Sequence, residues 1–305
     1  MSTATSRPAR SAARSWPLLR QDEWTDRENR HRERVDALLE SHLHRRRRGI
    51  AHPVEDFLFT YYSHRPAQLR RWHPGAGAGL AGEAARVRLG DPWYTELPGG
   101  GVALDAPSFL SRRGSTVSFV SSLLRAVRAR PAHLGCFGLH EWAMVYRLSS
   151  NDVRHSQVPL RLGPEETDRV VESHQIRCSH FDAFRFFTEE ARPLNRLRPT
   201  REGQARMDQP GCLHATMDLY KWAYKLTPAV PGELVVDCFK LARDVRELDM
   251  RASPYDLREY GYTPVAIETR EGKAQYAAAQ KRFAERGAEL RTRLLEVCRL
   301  LEEQG

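Results

Sequence analysis

The sequence predicts a mainly α protein: a compact helical domain with a small β element in the N-terminal half. Apolar residues recur at helical spacing through most of the chain after Ser115. The clearest strand candidates are short, lie near positions 85 to 104 and are bounded by Gly and Pro. No self-similarity recurs at a solenoid period. A chain of 305 residues, 41% hydrophobic and 29% charged, is long and apolar enough to bury a sizeable core.

Residues 1–20, rich in Ser, Ala, Arg and Pro without periodicity, predict a disordered tail, and 21–305 a single mainly helical domain. Val35, Leu38, Leu39 and Leu43 predict a helix from about Asp22 to Arg47, stopped by Gly49. Two short helices follow, broken at Pro66, and then a turn at Pro74-Gly75. "GAGAG" at 75–79 lacks the preceding strand and the Lys-Ser/Thr of a phosphate loop. Strands are expected around Ala85–Leu89, Gly101–Leu104 and Val158–Leu162. Further helices are expected at Ser115–Arg130, Leu139–Leu148, Glu165–His174, His180–Ala191, Leu213–Leu226, Gly232–Asp249 and Gly272–Glu303, the last kinked near Gly287. Pro164 suits a first helical position, with Glu165 and Glu166 behind it.

The net charge is +9. Residues 1–50 hold 12 Arg against 7 acidic residues, which leaves the body nearly balanced, and only five of the 48 basic residues are Lys. The charge permits nucleic-acid binding without establishing it. No apolar run reaches the length of a membrane span, the N-terminus lacks the apolar stretch of a secretory signal, and five irregularly spaced cysteines do not form a disulfide framework. A cytoplasmic protein with reduced thiols is expected, nucleoid-associated if it repairs DNA.

Three stretches combine Cys, His, a carboxylate and aromatics. "LGCFGLHEWAMVYR" holds Cys136, His140, Glu141 and Trp142; "IRCSHFDAFRFF" holds Cys178, His180 and Asp182; "QPGCLHATMDLYKWAYKL" holds Cys212, His214, Asp218, Tyr220 and Trp222. Each lies at or near a predicted helix start, where unpaired N–H groups favour negative charge. In one reading His140, His180 and His214 converge on zinc or iron, with Glu141, Asp182 or Asp218 completing the shell. In another, Asp218 steadies an oxocarbenium centre while Tyr220 and Trp222 stack on a base. Each residue also has an ordinary structural role open to it: Cys and His in a core, Asp218 paired with Lys221 or Lys225. Arg251, in "LDMRASPYDL", could clamp a carboxylate or phosphate, or pair within its helix.

"HPVEDFLFTYYSHRPAQLRRWHPG", "HFDAFRFF", "QPGCLHATMDLYKWAYKL" and "LDMRASPYDL" together resemble an actinobacterial family commonly labelled 3-methyladenine DNA glycosylase, over about residues 23 to 300. The resemblance implies a DNA-repair hydrolase that releases alkylated bases such as 3-methyladenine from double-stranded DNA, with no cofactor. It carries over no catalytic residues, and the chain has no helix–hairpin–helix with its catalytic Asp. The residues read for that chemistry are Asp218, Glu141 and Asp182 as catalytic groups and Trp142, Tyr220, Trp222 and Arg251 as binding groups. The competing class is a zinc- or iron-dependent oxidase or hydrolase acting on a small molecule through His140, His180 and His214. A third class, without catalysis, binds nucleic acid through the basic N-terminus alone. Under any DNA reading that uses the tail, deleting the basic N-terminus (residues 1–48) is expected to weaken DNA binding and flatten its salt dependence. A salt titration of both proteins checks this, and unchanged affinity would mark the charge as compositional.

Overall fold

The structure is a computed structural model, and it describes residues 17–148 and 157–304. Its helices are α1 (Gln21–Arg47), α2 (Phe57–Tyr61), α3 (Pro66–Leu69), α4 (Ala106–Arg128), α5 (Leu139–Ala143), α6 (Pro164–Glu172), α7 (Phe181–Phe184), α8 (Gln204–Met207), α9 (Leu213–Lys225), α10 (Gly232–Arg251) and α11 (Arg270–Glu302). Strands β1 (Leu18–Leu19), β2 (Gly79–Leu80), β3 (Tyr94–Glu96) and β4 (Val102–Leu104) form one small sheet in the order β1-β2-β4-β3. The protein is mainly α, as its sequence predicts.

Two of the long helices, α4 and α11, start where a side chain satisfies a first N–H group. Asp105 accepts from the Ser108 amide at 3.0 Å to cap α4, and Thr269 accepts from the Gly272 amide at 3.0 Å to cap α11. Apolar stripes then drive the packing. α9 lies along α10, and α11 crosses α4, α9 and α10. Leu219, Tyr220, Leu241, Val245 and Leu294 are buried at these seams. α11 runs unbroken through Gly287. A Cβ there would come within 3.1 Å of the Thr216 methyl, so this glycine lets α9 and α11 approach closely. α1 lies on α10 and is tied to it by Arg27 with Glu233 at 2.9 Å and Arg34 with Asp237 at 2.6 Å.

Several expectations are corrected. Leu18 and Leu19 pair in parallel with Gly79 and Leu80, so the expected tail does not reach residue 20; its residues 1–16 lie outside the described residues. Ala85–Leu89 is part of a 3-10 turn, because Val87 points to solvent at 78% exposure while Arg88 turns inward to the Trp72 carbonyl and Glu28. Val158–Leu162 makes only an isolated bridge, Leu160 to Tyr255. The expected helix from His180 to Ala191 stops after one turn at Phe184, and the Thr188 amide donates to the Ala143 carbonyl instead. Trp24, Val35 and Leu39 of α1 are buried, so deleting 1–48 would also remove part of the core. The deletion that isolates the tail is 1–16.

Two buried histidines join separate elements: His64 ties the first half of the chain to α9, and His73 ties the segment after α3 to β3. His64 Nδ1 meets the Tyr220 hydroxyl at 2.9 Å and its ring stacks on Tyr224; His73 Nδ1 meets the Tyr94 hydroxyl at 2.8 Å. Burial pushes His64 down to about 4, and burial with the charges of Arg71 and Arg88 pushes His73 down to about 3. An unfolded chain takes these protons near pH 6.5, so the folded state loses stability as pH falls from there toward 4. Each histidine contributes about 1.4 kcal/mol per pH unit inside that window. Urea unfolding between pH 7.5 and 4.5 is expected to show this decline. In His64→Gln its slope is expected to drop by about one proton equivalent, and an unchanged slope would show that His64 does not titrate this way.

Candidate metal centre

Three helix starts and one helix end meet in the middle of the fold. His140 and Glu141 open α5, His180 is the residue before α7, and His214 is in the first turn of α9. Asp249 comes from the last turns of α10. The loop entering α5 is folded tightly, with Phe137 at φ 47° and Gly138 at φ 70°. Phe137, a non-glycine residue in the left-handed region, costs energy there, and such backbone persists where its surroundings over-determine it. All five side chains are buried, Asp249 completely.

The three imidazoles are neighbours. The rings of His140 and His214 lie 4.6 Å apart and nearly perpendicular; those of His214 and His180 lie 5.5 Å apart and nearly stacked. They do not share one set of ligand atoms. His140, His214 and Asp249 form one group, with ligand atoms all within 4.8 Å of one another; His180, Asp182 and Asp218 form another. Asp249 thus takes the place that the sequence reading gave to His180.

The first group has the features of a cation site. Nε2 of His140 lies 2.9 Å from Oδ1 of Asp249, an ion-pair contact when the imidazole is protonated. Two ligands held about 2.1 Å from one ion at octahedral or tetrahedral angles stand about 3.0 to 3.4 Å apart. The other Asp249 oxygen contacts Arg246 Nη1 at 3.2 Å, and the same Nη1 reaches Glu141 Oε1 at 3.2 Å. The Arg246 guanidinium also lies over the Phe57 ring at 3.8 Å. The ligand carboxylate is therefore aimed from behind, as outer partners orient metal ligands.

The second group already holds a cation. Lys221 Nζ lies 3.0 Å from Asp218 and 3.3 Å from Asp182. The Tyr62 hydroxyl donates to the other Asp218 oxygen at 2.9 Å. His180 is oriented by Asp208, 3.0 Å from its Nδ1, and Asp208 in turn accepts from Gln204 at 2.9 Å. Nε2 of His180 is buried without a hydrogen-bond partner, 3.8 Å from Asp218.

Charge in this region follows from burial set against neighbours. Burial disfavours the His140 imidazolium, but the Asp249 carboxylate outweighs it and the net direction is up. His180 is likewise opposed by burial and raised overall by Asp208, with help from Asp218 and Asp182. His214, pushed well down by burial and by the neighbouring His140 charge, stays neutral with a lone pair to offer. Burial opposes the Asp249 carboxylate, yet His140, His214 and Arg246 hold it well below the usual carboxylate range. Burial pushes up the Cys136, Cys178 and Cys212 thiols beside the cluster, Cys178 to about 12. They are protonated thiols at neutral pH and poor metal ligands in that state.

Other expected site residues fall elsewhere. Trp142 is fully buried with its Nε1 donating to the Ala252 carbonyl, and Tyr220 is fully buried against His64; neither has a face for a substrate. Arg251 is held by Glu247 and the Thr263 carbonyl. Glu141 is buried on Arg246, and Asp218 is buried between Tyr62 and Lys221. Asp182 and Trp222 do reach a cleft of about 400 Å³ that also takes in Phe119, Phe181 and Lys225. Asp249 escaped the sequence reading as a ligand because it stands apart from any Cys or His in the chain. One signal was present: it lies seven residues after Ala242 and four after Val245, on the face of α10 that helical spacing assigns to the core.

Comparison of the chain with protein-family models, with curated proteins and with solved structures found no significant match. Among the described residues, no helix is long and apolar enough to cross a membrane.

Removing Arg246 leaves Glu141 and Asp249 as buried carboxylates without their shared guanidinium. Arg246→Met is expected to lower stability by about 3 to 5 kcal/mol, the usual cost of breaking a buried ion pair from one side. Urea unfolding in the presence of a chelator measures it, and a loss below about 1 kcal/mol would show that the carboxylates do not depend on Arg246.

Proposed function

We propose that the protein is a metal-dependent enzyme acting on a small molecule, with His140, His214 and Asp249 as the ligands of one ion. The observation that carries this reading is that His140, His214 and Asp249, all buried, bring one ligand atom each within 4.8 Å of one another. The 2.9 Å contact of His140 Nε2 with Asp249 Oδ1 is closed by a proton in the metal-free protein, and a cation that displaces this proton is held by the same atoms. Two imidazoles and a carboxylate suit catalytic zinc or non-haem iron with positions left open. When bound, zinc supplies an activated water for hydrolysis and iron supplies redox chemistry for an oxidase.

The remaining groups have roles around that centre. Arg246 keeps the Asp249 carboxylate ionised and oriented. Lys221 occupies the neighbouring acidic group, which favours metal at the first. His180, raised by Asp208 and beside His214, is placed to hold a proton and deliver it to a reacting group. A cavity of about 20 Å³ between His140, His214 and the three thiols has room for one water-sized reactant.

A second reading rests on a different cleft, the one along α9. Trp222, Phe119 and Phe181 give it flat apolar walls, Lys221, Lys225 and Arg201 make it cationic, and Asp182 supplies a carboxylate. Those features suit release of an alkylated base from double-stranded DNA, with Asp182 in the part that the sequence reading gave to Asp218.

Metal analysis of the purified protein and a base-release assay separate the two. About one equivalent of zinc or iron is expected, lost in the His140→Ala/His214→Ala double variant with the helical circular dichroism retained. Its absence from the wild type under both metals would remove the first reading. Release of free 3-methyladenine from alkylated duplex DNA, abolished by Asp182→Asn and kept by the double histidine variant, would establish the second in its place.

A further inference from the structure

The small cavity beside His140 and His214 adjoins a larger one. Cys136, Arg177, Ser179 and Gln209 line it, and the same four residues line an outer cleft of about 310 Å³. The outer cleft and the histidine cluster are therefore neighbours across a shared set of side chains. The outer cleft has a particular charge: Arg130, Arg177 and Arg206 line it together with His133, and no Asp or Glu does.

Many arginines of the described residues sit on a carboxylate, among them Arg27, Arg34, Arg88 and Arg161. Among the described residues, Arg130, Arg177 and Arg206 are in no ion pair; Arg130 donates Nη1 to the Asp208 carbonyl at 2.9 Å. Arg177 and Arg206 are exposed at the mouth. A cleft walled by one sign of charge focuses the field and concentrates ligands of the other sign. Guanidinium groups match carboxylate and phosphate oxygens with paired hydrogen bonds.

The wall carrying these groups is held in place. Gln209 Oε1 accepts from the amides of His133 at 2.9 Å and Gly211 at 2.7 Å, and its Nε2 donates to the His133 carbonyl at 3.3 Å. A Cβ at 211 would lie 2.5 Å from the His133 carbonyl oxygen, so only glycine lets the two loops close on one another. The cleft is a built recess of the size of a small-molecule site, at the lower end of that range.

We propose that this cleft binds a small molecule bearing a carboxylate or a phosphate. Arg177 and Arg206 grip the anionic group at the mouth, and the opposite end of the ligand faces Ser179 and the inner cavity. The inference deepens the metal reading and rests on it for the reaction that follows, while the binding itself stands on the cleft.

Calorimetric titration of the purified full-length protein tests it, with inorganic phosphate, malonate and a short DNA duplex as probes and the metal content of every sample measured. Wild type is expected to bind phosphate or malonate, and the preferred probe tells a phosphate ligand from a carboxylate one. Arg177→Gln/Arg206→Gln is expected to weaken that binding at least tenfold, with metal content and melting temperature unchanged because both side chains are exposed. Arg177→Lys/Arg206→Lys is expected to recover part of it through charge alone. The proposal is overturned if wild type binds neither small anion, if the glutamine variant binds as tightly as wild type, or if the substitutions weaken only the duplex. Anion binding by a protein devoid of metal would uphold the cleft and sink the metal reading; a metal-loaded protein without anion binding would do the reverse.

Discussion

The rest of this structure depends on one constraint: a fully buried carboxylate, Asp249, must be compensated from every side. Moving a carboxylate out of water costs several kcal/mol even after relaxation, and the protein offsets this with His140, His214 and Arg246 around a single group. Those partners come from α5, α9 and α10, so the helices have to meet there. The tight loop at Phe137 and Gly138, the buried start of α9 and the placement of Arg246 over Phe57 are all consequences of bringing partners to one point.

The same compensation recurs one step away with a different solution. Asp182 and Asp218 are neutralised by Lys221, a side chain of the protein itself, and Tyr62 completes the hydrogen bonding of Asp218. The Asp182–Asp218 pair is closed by a lysine, while Asp249 is compensated by two imidazoles and Arg246. That contrast favours His140, His214 and Asp249 as the proposed ligands, with Asp218 engaged by Lys221 and Tyr62. The arginine-lined cleft adds positive charge beside the same cluster, with Arg177 and Arg206 in no ion pair among the described residues.

The helices were largely legible from the sequence because amphipathic spacing is local. α1, α6, α9, α10 and α11 begin and end within a few residues of their expected limits, and the Pro164-Glu-Glu start of α6 forms as read. Failures came where the backbone finds its partners at a distance. The segment after His180 looks helical, yet the Thr188 amide bonds to Ala143, and a regular helix cannot survive that exchange. The 85–89 stretch alternates apolar and polar residues like a strand, yet its buried members are Ala85 and Arg88, three apart, which is the spacing of a 3-10 turn.

By itself the sequence determined the fold class, most helix limits and the concentration of Cys, His and carboxylate residues at three helix starts, since each of these follows from propensity and spacing along the chain. Only the tertiary structure decided which of those residues share a centre. It grouped His140 and His214 with Asp249, which stands 35 residues beyond His214, and it set His180 beside Asp208 and Asp218. It buried Trp142 and Tyr220 beyond a substrate's reach and left Arg177 and Arg206 unpaired at the mouth of a cleft. The physical reason is that ligand geometry and ion pairing are fixed by distances of a few ångströms between segments far apart in the chain, and spacing along the chain carries no record of those distances.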